Sequence, residues 1–382
     1  MNKFLILITT FLYLNSNLFA SPNLKARTGI LVDYHSNETL FELDADMQIY
    51  PASMTKIMTS IVVFDLLKKN KISLDDKVTV SNNAWRLSQA GYSSMFIMIN
   101  DQVTIENLLK GIIIVSGNDA CVAIAEGIAG SEENFAEMMN EKAAEIGMSS
   151  SNFTNASGIN DPDNISTARD IALMSQYLIK NYPSYYELFS EKTFTWDRTG
   201  GEPIKQGNRN PLLYKNAGVD GVKTGYLAVE KYSLASSMVK KDRRIIAVAS
   251  GFDTKNLRSS ESLKLLNWGF RNTNTFEISQ KDETSFELNT WLGTKNKIKT
   301  TSKEDFYVTI NKKDLRHLTV SLEYNGPIKA PVKKGEQIAY IIVSKKDTIL
   351  KKLPLYAAED LKKVNFFKSL LTSVNYLIWG DV

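Results

Sequence analysis

An α+β fold is predicted by the order in which strand-like and helix-like stretches follow one another along the 382 residues. Short apolar alternations open the chain, helical periodicity fills its middle, and strand patterns return from Tyr232 onward. Strands drawn from both ends of one domain can meet in a single antiparallel sheet with the intervening helices packed on it. Beyond about Glu277 the alternations shorten and turns crowd in, which predicts a separate small all-β domain. The length accommodates one large and one smaller domain.

Taken in order, residues 1–20 carry Lys3 ahead of Phe4-Leu5-Ile6-Leu7-Ile8, with small Ala20 before Ser21-Pro22. That is the outline of a secretory signal peptide, too short and interrupted to read as a membrane span. Ala26 to Leu43 alternates around Ser36-Asn37-Glu38 and reads as a hairpin. Pro51-Ala52-Ser53-Met54-Thr55-Lys56 then opens a helix whose continuation, Ile61-Val62-Val63-Phe64-Asp65-Leu66-Leu67, is apolar on nearly every side and therefore central. A polar stretch from Ser88 to Ser94 follows, and Thr104 caps a helix that carries the chain toward Ser116. Further helices are expected over Ser131 to Ile146, with acids in the first turn, and Thr167 to Ile179. Strands over Tyr232 to Met238 and Arg244 to Ser250 and a closing helix from Ser259 to Phe270 complete the domain. In the β domain, runs such as Phe306 to Ile310, Leu318 to Leu322 and Ile338 to Val343 are separated by turns like Asn325-Gly326-Pro327.

The last segment, Ala357 to Val382, is read as a two-faced helix. Leu361, Val364, Phe367, Leu371, Val374 and Ile378 recur at spacings of three or four, and Asp360, Lys362, Asn365, Ser369, Thr372 and Asn375 lie mostly elsewhere. In an exported protein such a helix is expected to lie in the membrane interface rather than cross it.

Composition removes several classes of function. A net charge of +4, with no Lys/Arg block interleaved with aromatics, gives no basis for nucleic-acid binding. Cys121 is the only cysteine, so no internal disulfide is possible, and its small-residue helical surroundings mark it as a buried structural thiol. His35 and His317 are the only histidines; neither has metal-ligand company or the setting of a Ser-His-Asp triad. No metal and no cofactor are expected.

Chemistry enters through Ser53 and Lys56, one helical turn apart and hence on one face. A serine hydroxyl needs a base to become a nucleophile, and a neutral amine one turn away can supply it. Lys56 serves only if its pKa falls; burial and a second cation, Lys223, both push it down. Ser116-Gly117-Asn118 and Lys223-Thr224-Gly225 follow in that order. Ser116 can relay a proton, Asn118 can hold a substrate amide, and Lys223 with Thr224 can bind a carboxylate on an edge strand where Gly225 admits close backbone approach.

These three elements are the set found in serine β-lactamases and penicillin-binding proteins. With Asn208-Arg209-Asn210-Pro211-Leu212-Leu213, Gly221 to Tyr226, and Arg258 within Arg258 to Phe270, the chain resembles a low-molecular-mass penicillin-binding protein of the serine-type D-alanyl-D-alanine carboxypeptidase family. The resemblance implies a β-lactamase/DD-peptidase-like domain over 21–276, a β-sandwich-like domain over 277–356 and a membrane-anchoring helix over 357–382. It implies that Ser53 attacks the bond between two D-alanines of a peptidoglycan stem pentapeptide, and that β-lactams acylate the same hydroxyl. It places the oxyanion hole at the backbone amides of Ser53 and Tyr226, and the substrate's terminal carboxylate at Thr224 and Arg258. It implies a protein on the outer face of the cytoplasmic membrane.

Two departures mark this chain: Val229-Glu230 where the family usually has an Ala-Gly pair, and Asn155-Ala156-Ser157-Gly158 where many members have Pro-His before the glycine. A class A β-lactamase would add a Glu-x-x-Leu-Asn element, but no Leu-Asn dipeptide occurs between Asn118 and Lys223. A retired, non-catalytic murein-binding homologue would be expected to have lost the nucleophile or its base. A DD-endopeptidase differs only in how much substrate the cleft admits.

Overall fold

The computed structural model describes residues 22–379, Asn160 excepted, so the expected leader at 1–20 lies outside the described residues. The first hairpin is β1 (Thr28–Asp33) and β2 (Thr39–Leu43). After a 3-10 turn at Ala52–Thr55 come α1 (Lys56–Lys68), α2 (Ile105–Lys110), α3 (Asn118–Ala129), α4 (Glu132–Ile146) and α5 (Ala168–Asn181). The chain then returns to the sheet as β3 (Val219–Leu227), β4 (Lys231–Lys240) and β5 (Arg243–Phe252), and closes with α6 (Lys255–Asn272). The strands form one antiparallel sheet in the order β2-β1-β5-β4-β3, so the two ends of the domain meet along β1 and β5, with Thr28 opposite Ser250 and Asp33 opposite Ile245.

Alternation along the central strands decides the layering. Ile30 and Val32 on β1 and Ile246 and Val248 on β5 join the large core with α1 and α5. Leu31 and the β5 residues Ile245, Ala247 and Ala249 face the other way, onto Leu265 and Leu266 of α6. A strand apolar on both faces must be covered on both, and helices do so here. Helix α1 is buried from Lys56 through Phe64, as its all-round apolar run predicts. Ser131, Thr167 and Thr254 cap α4, α5 and α6 through side-chain oxygens that accept from Asn134, Asp170 and Leu257 amides, which is why these helices begin where they do.

The second domain begins at Thr273, where α6 runs directly into a strand, Thr273–Ser279, paired with Phe306–Asn311. The remaining strands form a six-stranded sheet around a core that includes Leu288, Ile298, Ile341, Val343 and Leu355.

One expectation is corrected at the C-terminus. Among the described residues the terminal helix, α7, spans Phe366–Trp379, so it begins at 366 rather than at the expected 357. Leu361 is buried in the β-domain core, bridged to Val332, while Thr294 N–H donates to the Lys362 carbonyl at 2.8 Å and Val364 N–H to that of Leu292 at 3.0 Å. Ala357, Ala358, Leu361, Lys362 and Val364 bond their backbone to the β domain, so the helical spacing of Leu361 and Val364 with Phe367 is coincidental. From Phe366 onward the apolar side chains are exposed: Phe367, Leu371, Leu377 and Trp379 are each more than 60% accessible. Among the described residues no helix is long and apolar enough to cross a membrane.

Candidate active site

Ser53 lies in the 3-10 turn rather than in α1, and Lys56 is the first residue of the helix proper. The two side chains still meet, with Lys56 Nζ 3.2 Å from Ser53 Oγ. Entry into the turn is tight: Ala52 adopts φ 50°, a left-handed backbone that costs a non-glycine residue about 1–2 kcal/mol. Two neighbours press on it. A Cβ at Gly158, itself at φ +76°, would stand 1.9 Å from the Ala52 carbonyl oxygen, and one at Gly225 would stand 2.9 Å from that of Pro51. The lack of a side chain at Gly225 thus leaves room for the protein's own Ser53 turn.

Lys56 is 1% exposed. Its Nζ donates to Asn118 Oδ1 at 2.6 Å and to the Ser157 carbonyl at 2.5 Å. A neutral amine has two N–H bonds and one lone pair. Those two acceptors take both N–H bonds, and the lone pair is left for the Ser53 hydroxyl proton. Burial pushes Lys56 below the ordinary lysine range, against the pull of Asp119 and Glu132. Lys223 is pushed well below that range, first by burial and then by the positive charge of Lys56. Repulsion between two neighbouring amines is mutual, so each disfavours the charged form of the other.

The Ser116-Gly117-Asn118 element follows α2 through a π-type turn at Gly111–Val115, which leaves Ser116 at φ 65° before α3 begins at Asn118. Lys223 Nζ donates to Ser116 Oγ at 2.9 Å, joining the second and third elements across the cleft floor. Strand β3, which carries Lys223 to Tyr226, is an edge of the sheet. Ser53, Ser116, Asn118, Thr224, Tyr226 and Arg258 line one open cleft of about 1030 Å³. Arg258, on α6, is nearly buried, and its Nε has no hydrogen-bond partner. Its guanidinium lies 5.6 Å from the centre of the Tyr232 ring, which in turn packs on Tyr226. A guanidinium that lines the same cleft as Ser53 is suited to receive an anion.

Sequence reasoning missed several supports. Asp119 is fully buried and accepts from Ser94 Oγ at 2.6 Å and from the Met95 and Phe96 amides, tying the 94–97 stretch to α3. Asn155 Oδ1 accepts from the Gly158 amide at 2.7 Å, and Glu132 accepts from that of Ala156 at 3.0 Å; together they shape the loop whose Ser157 carbonyl holds Lys56. Burial pushes the Glu132 carboxyl up. The acids expected in the first turn of α4 were the one visible signal for Glu132; the others depend on contacts between distant segments. Cys121 is buried and its thiol is pushed up to about 12, chiefly by burial, which makes it unreactive. His35 stands in a turn with Nε2 3.1 Å from the Asp242 carbonyl, and His317 ends a 3-10 helix, Lys312–His317, beside Arg316.

Comparison with known proteins gives a consistent picture. Residues 15–254 match the family model described as D-alanyl-D-alanine carboxypeptidase, and 274–363 match the C-terminal domain of penicillin-binding protein 5. The chain is 39% identical to D-alanyl-D-alanine carboxypeptidase DacC of Escherichia coli (strain K12) over 96% of this chain and 92% of that protein. It is 37% identical to DacA of Haemophilus influenzae over 91% of this chain and 88% of that one. Crystal structures of penicillin-binding protein 5 from Haemophilus influenzae superpose with a TM-score of 0.82, covering 90% of this chain and 100% of the other at 37% identity.

Proposed function

The chain belongs to the serine-type D-alanyl-D-alanine carboxypeptidase family, and from that premise we propose that it removes the terminal D-alanine of peptidoglycan stem pentapeptides through an acyl-enzyme on Ser53. The observation that carries the residue assignment is the hydrogen bonding of Lys56: both of its acceptors are fixed, and the remaining direction is that of Ser53 Oγ, 3.2 Å away.

In the first step the Ser53 hydroxyl proton passes to Lys56 Nζ while Oγ bonds to the carbonyl carbon of the penultimate D-alanine. The backbone amides of Ser53 and Tyr226 receive the oxyanion. Ser116, in contact with Lys223, relays the proton held by Lys56 to the departing nitrogen as the C–N bond breaks, so that D-alanine leaves and Lys56 is neutral again. Asn118 Oδ1 is committed to Lys56, which leaves its Nδ2 for the substrate amide. Thr224, Lys223 and Arg258 take the terminal carboxylate; the anion also restores the cationic form of Lys223 that burial disfavours. Water then attacks the ester, its proton passing to Lys56 and from there to Ser53 Oγ as the acyl–oxygen bond breaks. A β-lactam ring presents a similar carbonyl and carboxylate and acylates Ser53 by the first half of this sequence.

Localisation at the outer face of the cytoplasmic membrane is part of the same proposal. It is supported by the exposed Phe366, Phe367, Leu370, Leu371, Leu377 and Trp379 of α7, a surface suited to a bilayer interface. The test of the nucleophile is fluorescent-penicillin labelling of the Ser53→Ala protein, which we expect to be abolished; labelling at wild-type stoichiometry would refute the assignment.

A further inference from the structure

Glu230 takes no part in the steps above, yet it is a buried carboxylate, 3% exposed, at the end of the β3–β4 turn. Four contacts hold it. Arg27 Nη2 donates to Oε1 at 2.6 Å and Oε2 at 2.5 Å, Ser250 Oγ donates to Oε1 at 2.6 Å, and the Tyr50 backbone N–H donates to Oε2 at 3.1 Å. Ser250 Oγ in turn lies 2.7 Å from Ser233 Oγ. A carboxylate taken out of water is tolerated only when paired and hydrogen-bonded, and this one is both.

The partner that matters for catalysis is Tyr50. It enters the Ser53 turn, where Ala52 is held at φ 50° and where a strained backbone persists only if its surroundings over-determine it. Gly158 and Gly225 press on that turn from two sides, and Glu230 holds its upstream end. Arg27 immediately precedes β1, Ser250 belongs to β5, and Glu230 follows Tyr226 by four residues on the same hairpin. We infer that Glu230 is a positioning residue that locks the Ser53 turn to the sheet, so that the backbone amides of Ser53 and Tyr226 keep a fixed separation. Two donors aimed at one developing oxyanion lose effect when either moves by a fraction of an ångström. The inference rests on the acyl-transfer assignment of Ser53.

The test compares D-alanine release from a stem pentapeptide by the full chain and by Glu230→Gln and Arg27→Met/Glu230→Met, each corrected for penicillin-titratable sites and measured well below its Tm. Gln keeps an acceptor for the Tyr50 amide, and its kcat is expected within about threefold of wild type; the double variant has no acceptor and should lose about tenfold or more in kcat with KM nearly unchanged. Lowered Tm in both variants with unchanged kcat per site would reduce Glu230 to a purely structural role and overturn the inference, as would equal losses in both. If the double variant does not fold, Glu230→Asp carries the same comparison: it keeps the charge beside Arg27 but retracts the acceptor from Tyr50, and a kcat equal to that of Glu230→Gln would overturn the inference. Penicillin labelling of the wild type reports on the acyl-transfer assignment itself, so the two failures give different results.

Discussion

In the proposed mechanism burial makes a base of Lys56. A lysine exposed to water would be protonated at neutral pH and useless as a proton acceptor. Here the ammonium is destabilised by removal from water, while the Asn118 and Ser157 oxygens satisfy the neutral amine. Lys56→Arg, which cannot deprotonate, should therefore lower Ser53 acylation by roughly 10²–10⁴-fold while the protein stays folded; stopped-flow acylation with circular dichroism checks both. The residue types of this site were legible because Ser53, Lys56, Ser116, Asn118 and Lys223 come in short spaced groups. The Ser157 carbonyl was not, since any residue can supply a backbone oxygen, and neither were Glu230 and Tyr50, whose contact joins segments 180 residues apart.

Among the elements, the catalytic turn, the 155–158 loop and strand β3 form one interlocked unit. Gly158→Ala would place a methyl group against the Ala52 carbonyl at a left-handed backbone position. Loss of about 1–2 kcal/mol is expected from the backbone alone, and acylation should fall because the displaced atom belongs to the residue before Ser53. Urea unfolding paired with acylation rates measures both effects. Helix starts were legible from Ser131 and Thr167, since capping chemistry is local. The tail was read too long because Leu361 fits a helical repeat, yet strand-like bridging to Val332 captures it. Truncation after Val364 removes α7 and leaves the β-domain core intact, and it is expected to release the protein from sedimenting membranes with pentapeptide activity retained. Continued sedimentation would contradict the anchor.

Across the whole molecule the two domains meet at a buried carboxylate. Asp33, at the end of β1, accepts from Arg243 Nε at 2.8 Å and Ser36 N–H at 3.0 Å in the first domain and from Thr275 Oγ1 at 2.6 Å in the second. Burial alone would raise its pKa, but hydrogen bonds from Thr275, Ser36 and Arg243 outweigh it and hold the carboxyl below its ordinary value of 3.8. A depressed acid stabilises the folded state above its unfolded pKa, so this contribution is present at neutral pH and is lost as pH falls below 3.8 through the folded value. Arg243→Met should leave Asp33 buried beside fewer donors and cost about 3–5 kcal/mol at neutral pH. Below the folded value of Asp33 that penalty should shrink, as thermal unfolding across pH would show. The α+β class and the β domain were legible from pattern alone, but this joint was not, because Asp33 and Thr275 become neighbours only once β1 and β5 have paired.

The most direct test of the account is the pH dependence of the rate at which benzylpenicillin acylates Ser53. An uncharged Lys56 acting as base predicts a rate that rises with pH and levels off below the ordinary lysine value of 10.5. A rate still climbing through that value, as for a lysine of ordinary pKa, would contradict it.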